Sequence, residues 1–179
     1  MKVRSPGSSI VVSIGDTNDR DLDAFSCGTR PAAVEVAKLL RTRQWASWPE
    51  PPTLYRFEDL AGALLAFALV EETKYPHPTL SDVDEEWYLA IAALGVADGF
   101  RKRPDPLSDR GETVAFEVLR AIEELVFALD RAVGLILLVR ESNTDARALY
   151  ERFGFRDDGD GPFPDTATRE QTICMRKIY

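Results

Sequence analysis

The sequence predicts an α/β fold, a mixed and mostly antiparallel sheet with helices on both faces. Three stretches predict it. Gly134–Val139 is an unbroken apolar run, short enough to be a strand buried on both faces. Gly111–Arg131 carries Val114, Ala115, Val118, Leu119, Ile122, Leu125, Val126 and Leu129 at helical spacing, and it joins that run to a second apolar segment, Trp87–Val96. A helix between two buried strands is a crossover, so those strands should be parallel neighbours. Leu54–Phe57 and Ala63–Val70, joined by a short turn, add a hairpin and so an antiparallel pair.

Taken in order, Ile10–Ile14 reads as a first strand. The acidic stretch Asp16–Asp23 reads as a loop or the exposed start of a helix. Pro31 suits a first helical position, and Val34, Ala37, Leu40 and Leu39 would line one face of a helix that fades near Arg43. Trp45–Pro52 is a turn-rich break. Leu54–Phe57 alternates as a strand, and Glu58–Gly62 is its turn. Ala63–Val70 has the alanine and leucine content of a helix, but a neighbouring strand and a short turn favour a second hairpin strand. Tyr75–Pro78 and Ser81–Glu86 read as loop. Ser142, Asn143 and Thr144 are all plausible N-caps after the 134–139 run, with Asp145 in the first turn where the helix dipole favours a negative charge. Ala146, Leu149, Tyr150 and Phe153 then share a short helix, and Gly154 sits where a left-handed C-terminal cap would. Two short strands, Phe155–Asp157 and Thr172–Lys177, close the chain.

A chain of 179 residues suggests one domain, residues 1–179, large enough to bury a real core. Its longest apolar run, Leu60–Val70, is too short for a membrane span, and no apolar block precedes Ile10 as a signal peptide would require. Cys27 and Cys174 match no metal spacing, so no metal site and a reducing cytoplasm are the expectation. A net charge of −8 argues against a general nucleic-acid binder and suits a cationic amine substrate.

The residues Asn143-x-x-Ala146-x-x-Leu149-Tyr150-Glu151-x-x-Gly154-Phe155 closely resemble the last motif of the GNAT acetyltransferases. A second motif lies upstream. That family places a pyrophosphate at a helix N-terminus with the pattern Gln/Arg-x-x-Gly-x-Gly/Ala. Here Arg110 matches the first position, followed by Gly111, and Ala115 matches the last; Thr113 stands in place of the middle glycine. Free backbone N–H groups and the positive end of the dipole make such a terminus an anion site. The loop ahead of it, Arg101–Asp109, is longer than the family's and rich in proline. Arg101, Lys102, Arg103 and Arg110 form the densest basic patch in the chain, as a phosphate-bearing coenzyme would select. The segment Phe25-x-Cys27-Gly28 resembles a branch of bacterial toxins that acetylate charged tRNA.

The resemblance implies a GNAT-like sheet whose central parallel pair splays, and transfer of acetyl from acetyl-CoA, the co-substrate, to a primary amine of a small molecule, peptide or protein. It implies that Tyr150 protonates the leaving thiolate, since a tyrosine holds its proton at pH 7. Backbone N–H groups from Leu94 to Val96 would hold the pantetheine and the acetyl oxygen, and Asn143 would touch the cofactor. Glu85, Glu86 or, as a rival, Asp84 would take the amine's proton. His77, the only histidine, lies between two prolines in a loop, and the three tryptophans read as packing. On the family fold the acidic stretches 16–23 and 81–86 would lie near the acceptor. Two alternatives stay open: a toxin acetylating aminoacyl-tRNA, and a domain that binds acyl-CoA without turnover. Nucleic acid is the less favoured partner, a membrane none, and a homodimer is left open.

Overall fold

The computed structural model describes residues 2–4, 10–76, 85–100, 112–159, 161–164 and 170–179. They form strands β1 (Lys2–Arg4), β2 (Val11–Ile14), β3 (Thr53–Glu58), β4 (Leu64–Pro76), β5 (Glu85–Val96), β6 (Ala132–Arg140), β7 (Arg156–Asp157), β8 (Phe163–Pro164) and β9 (Gln171–Ile178). The helices are α1 (Asp21–Ala24), α2 (Pro31–Thr42), α3 (Val114–Phe127) and α4 (Thr144–Phe153). Strand order in the sheet is β1-β2-β3-β4-β5-β6-β9-β7, with β8 also on β9. β5 and β6 are parallel. The pairs β1–β2, β2–β3, β3–β4, β6–β9, β7–β9 and β8–β9 are antiparallel. The α/β class, the mostly antiparallel sheet and the parallel central pair are therefore as the sequence predicts. The chain divides into two compact units, residues 1–71 with 92–124, and residues 72–91 with 125–179.

In the first unit the core gathers Leu22, Phe25, Leu40, Trp45, Leu54 and Phe67. Pro31 opens α2, and Arg43, in the left-handed region at φ 57°, closes it by donating its N–H to the Leu39 carbonyl. The buried stripe of α2 is Ala37 and Leu40; Val34, expected with them, is 45% exposed because α2 turns only a narrow face inward. The β3–β4 turn is held by Asp59, whose side chain accepts the amides of Ala61 and Ala63, each at 2.8 Å. Leu64–Val70 is strand and not helix, with Ala63 left in the turn, because cross-strand pairing from Thr53↔Val70 to Glu58↔Leu64 outweighs propensity. β4 runs on to Pro76, so Tyr75 and Pro76 are strand where loop was expected; residues 77–84 lie outside the described residues.

In the second unit β6 is the pivot. Its parallel register with β5 runs from Trp87↔Ala132 to Ile91↔Leu137. On its other edge it pairs with β9 from Gly134↔Ile178 to Arg140↔Thr172. Leu135, Ile136, Leu137 and Val139 are buried as expected, but Leu138 is 63% exposed, so the strand is not covered on both faces at that point. α3, most of which belongs to the first unit, is shorter than the expected 111–131 helix. Its buried stripe is Val114, Val118, Leu119, Ile122 and Val126, while Leu129 and Arg131 lie beyond its end. β1 and β8 escaped the sequence reading. Each is two or three residues long, and Lys2-Val-Arg4 carries no alternation long enough to read.

Gly134 fixes the β6–β9 register. A Cβ built there would stand 2.2 Å from the Lys177 carbonyl oxygen, a backbone atom that cannot step aside. Gly134→Ala is expected to destabilise the fold by about 1–3 kcal/mol through overpacking. Urea unfolding measures it, and an unchanged midpoint would contradict the register.

Candidate functional site

The residues singled out by sequence fall in both units. In the second, the 134–155 stretch folds as its residues dictate. Asn143 is the N-cap of α4, its Oδ1 accepting the Ala146 amide at 3.4 Å, so Ser142 and Thr144 do not take that role. Gly154 closes the helix at φ 105° and ψ 4°, conformational space that glycine enters without penalty. Tyr150 lies between, its ring 5.6 Å from that of Phe155. Burial pushes the Tyr150 phenol up to about 12. The hydroxyl therefore keeps its proton throughout the neutral range and has one to donate.

Glu85 and Glu86 are the first two residues of β5, not part of a preceding loop. The Tyr88 hydroxyl donates to Glu86 Oε2 at 3.4 Å. Tyr88 is fully buried and packs with Ile136 and Cys174. Burial raises its phenol too, opposed by the nearby Arg176 guanidinium. Arg176, only 4% exposed, pairs with Asp158 at 3.1 Å and lies 5.1 Å over the Tyr75 ring. Burial and the neighbouring Asp158 carboxylate push the Cys174 thiol up to about 12. This polar cluster of Tyr75, Tyr88, Asp158, Cys174 and Arg176 was missed in the sequence. The available signal was a charged residue directly continuing the apolar run Ile173-Cys-Met175.

In the first unit, Leu94 and Val96 are half-buried near the end of β5. Thr113 precedes the first residue of α3, and its carbonyl accepts the amides of Phe116 and Glu117 at 2.9 and 3.1 Å. The Val114 and Ala115 amides head the helix, with half-buried Ala115 in its first turn. Two carboxylates lie nearby in sequence, half-buried Glu112 and buried Glu117. Arg101, Lys102, Arg103, Arg110 and Gly111, with His77 and Asp84, lie outside the described residues.

The acidic stretch 16–23 is not an open field for a cation. Asp19 and Asp21 each bind the Arg56 guanidinium at 2.6 Å, with Glu58 at 3.0 Å on its Nε. These three carboxylates together outweigh burial and hold Arg56 firmly protonated. Asp23 pairs with Arg43 at 2.8 Å, and Arg43 also donates to the carbonyls of Thr17 and Asp19. Much of the negative charge is thus spent inside the unit. Among the described residues no group of three or more His, Cys, Asp and Glu could hold a metal, and no helix is long and apolar enough to cross a membrane.

No family model and no curated protein matches the chain. Solved structures do. A bacterial toxin aligns over 94% of this chain and 90% of its own at TM-score 0.63 and 17% identity. The Arabidopsis thaliana NAA60 in complex with acetyl-CoA aligns over 95% and 99%, at TM-score 0.58 and 15% identity. A GCN5-related N-acetyltransferase from Brucella melitensis aligns over 96% and 76%, at TM-score 0.59 and 15% identity. The likeness is one of fold. It spans nearly the whole chain, so the β5–α3–β6–α4 order read from sequence is also the order of proteins with this architecture.

The raised phenol and thiol make stability pH-dependent. A group whose proton is held more tightly in the folded state stabilises fully below its unfolded value and loses that contribution as pH climbs to the folded one. For Tyr150 the window runs from 10.0 to about 12. Urea midpoints are expected to fall as pH rises through 10, and Tyr150→Phe should lose less than wild type there. Parallel curves for the two proteins would show that the phenol is not held by burial.

Proposed function

We propose that the protein is an N-acetyltransferase that moves an acetyl group from acetyl-CoA to a primary amine of a small molecule or peptide. The β6–α4 unit carries this reading: Asn143 as cap, Tyr150 mid-helix and Gly154 as left-handed end coincide with the motif that the sequence shares with GNAT enzymes. The fold likeness to a structure with bound acetyl-CoA supports the same conclusion.

In this mechanism the amine attacks the thioester carbonyl, an oxyanion forms, and the C–S bond breaks to release a thiolate that must gain a proton. Tyr150 supplies that proton, its phenol being protonated at neutral pH. Backbone amides of Leu94–Val96 bind the pantetheine arm and the acetyl oxygen. The α3 N-terminus, with Thr113 and Ala115, receives the pyrophosphate together with Arg101, Arg110 and Gly111. Thr113 brings both a hydroxyl and a Cβ to a position where the family has glycine. Asn143 contacts the cofactor through its amide nitrogen, because its oxygen caps α4. Glu86 or Glu85 takes the amine's proton, directly or through water. A single domain in the cytoplasm suits this reading, and a homodimer is compatible with it.

A second reading is a toxin acting on aminoacyl-tRNA. It draws on the Phe25-x-Cys27-Gly28 segment and on the fold likeness to a bacterial toxin. Charge weighs against it: 22 Lys and Arg face 30 Asp and Glu, and tRNA binding needs many phosphate contacts.

Acetyl-CoA at about a hundred times its dissociation constant should add roughly 2.7 kcal/mol of stability, visible as a higher Tm. Labelled acetyl should then pass to polyamines, amino acids or short peptides. No Tm shift at millimolar acetyl-CoA would sink the proposal, and label on charged tRNA would hand it to the second reading. Tyr150→Phe, which keeps the ring, should leave binding intact and slow turnover by about a hundredfold or more. Unchanged turnover where chemistry limits the rate would assign thiolate protonation to water.

A further inference from the structure

Three observations in the first unit converge on the end of β5. The Ser26 hydroxyl donates to Asp98 Oδ2 at 2.5 Å, and the Asp98 amide donates back to the Ser26 carbonyl at 3.1 Å. The Phe25 ring and the Cys27 thiol lie against Gly95: a Cβ there would meet Phe25 Cε1 at 2.8 Å and Cys27 Sγ at 3.2 Å. Both groups are themselves fixed. Phe25 packs edge-on to Phe67 at 5.1 Å, and the Cys27 thiol donates to the Ala33 carbonyl at 3.1 Å. On the opposite side of this short segment the Ala97 amide donates to the Leu65 carbonyl of β4 at 2.8 Å. Residues 95–98 are therefore gripped by β4 and by the 25–28 segment, and Asp98 is the first residue of the turn Asp98–Phe100.

Both partners of the side-chain bond are exposed. An exposed bond of this kind adds little to global stability, since water competes for both groups. Its effect is local: one charge-assisted, short hydrogen bond sets where the backbone leaves the sheet. Packing of Phe25 on Gly95 fixes the strand, and Ser26 fixes the chain three residues on.

We infer that Ser26 is a positioning residue for the co-substrate: through Asp98 it fixes the backbone at the end of β5 and the turn Asp98–Phe100. The inference rests on the acetyl-CoA reading above, because the backbone of Leu94–Val96, which ends in this anchored segment, is assigned there to the pantetheine arm. Ser26 and Asp98 touch no reacting atom. They act by preorganisation, removing from the bound state the cost of ordering a loose segment.

The test compares wild type with Ser26→Ala, Asp98→Ala, the double variant and Ser26→Thr, which keeps the hydroxyl. Calorimetry gives the acetyl-CoA Kd, amide hydrogen exchange of the ligand-free protein reports on residues 95–98, and Tm controls for the fold. Ser26→Ala and Asp98→Ala should each weaken acetyl-CoA by about threefold, the size of one exposed hydrogen bond. The double variant should be no worse than either single one, because both remove the same link. Exchange should quicken at 95–98 with Tm nearly unchanged, and Ser26→Thr should behave as wild type. Wild-type binding in Ser26→Ala, additive losses in the double variant, or a loss that Ser26→Thr shares would overturn the inference while leaving the acetyltransferase reading in place. A wild-type protein that fails to bind acetyl-CoA would overturn both.

Discussion

A backbone carbonyl occupies the space where residue 134 would otherwise carry a side chain, and much of the second unit follows from that contact. It lets β9 lie close to β6 at one end of their shared ladder, and the ladder then assigns each side chain to a face. Arg176 stands opposite Ile136, and Cys174 opposite Leu138. A shift of one residue would put every one of these on the wrong side. Arg176 would lose Asp158 and the Tyr75 ring, and a guanidinium buried without its counter-ion is among the costliest defects a fold can carry. Gly134 and the Arg176–Asp158 pair thus enforce the same register, one by steric fit and the other by charge.

The parts of the fold that were legible in the sequence are those whose signal is contiguous. Gly134–Phe155 contains its own strand, cap, amphipathic helix and left-handed end, so local chemistry names the elements, although β6 starts two residues earlier and only the fold selects Asn143 among three caps. The hairpin of β3 and β4 was legible through its turn, although alanine and leucine pulled the other way. What stayed hidden is made by residues far apart in sequence. Ser26 meets Asp98 across 72 residues, and Arg56 collects Asp19 across 37. Nothing in either neighbourhood announces the partner. Burial of single side chains was equally opaque: Val34 and Leu138 fit their apolar patterns, and only the packing of neighbouring elements decides that they face outward.

The candidate site was legible to a different degree in each unit. Tyr150 could be placed on α4 from spacing alone, and the consequence of burial for its phenol could not. The acidic loop shows the reverse. Its charge was obvious, yet its role changes once Arg43 and Arg56 are seen to bind it. A formal charge count treats Asp19, Asp21 and Asp23 as available to a ligand. In the fold they anchor the loop to β3 and to the end of α2, so their field is largely closed on itself at short range.

The two thiols have a practical value that their burial confers. Cys27 lies in the core of one unit and Cys174 in that of the other. Neither is reachable by a labelling reagent while its surroundings are closed, and Cys174 is further protected because it stays un-ionised at neutral pH. The chain therefore contains one native stopwatch in each half. The rates at which the two sulfurs are trapped give the opening frequencies of the halves separately, with no engineered probe and no tag, and their ratio states whether the protein breathes as one cooperative body or as two.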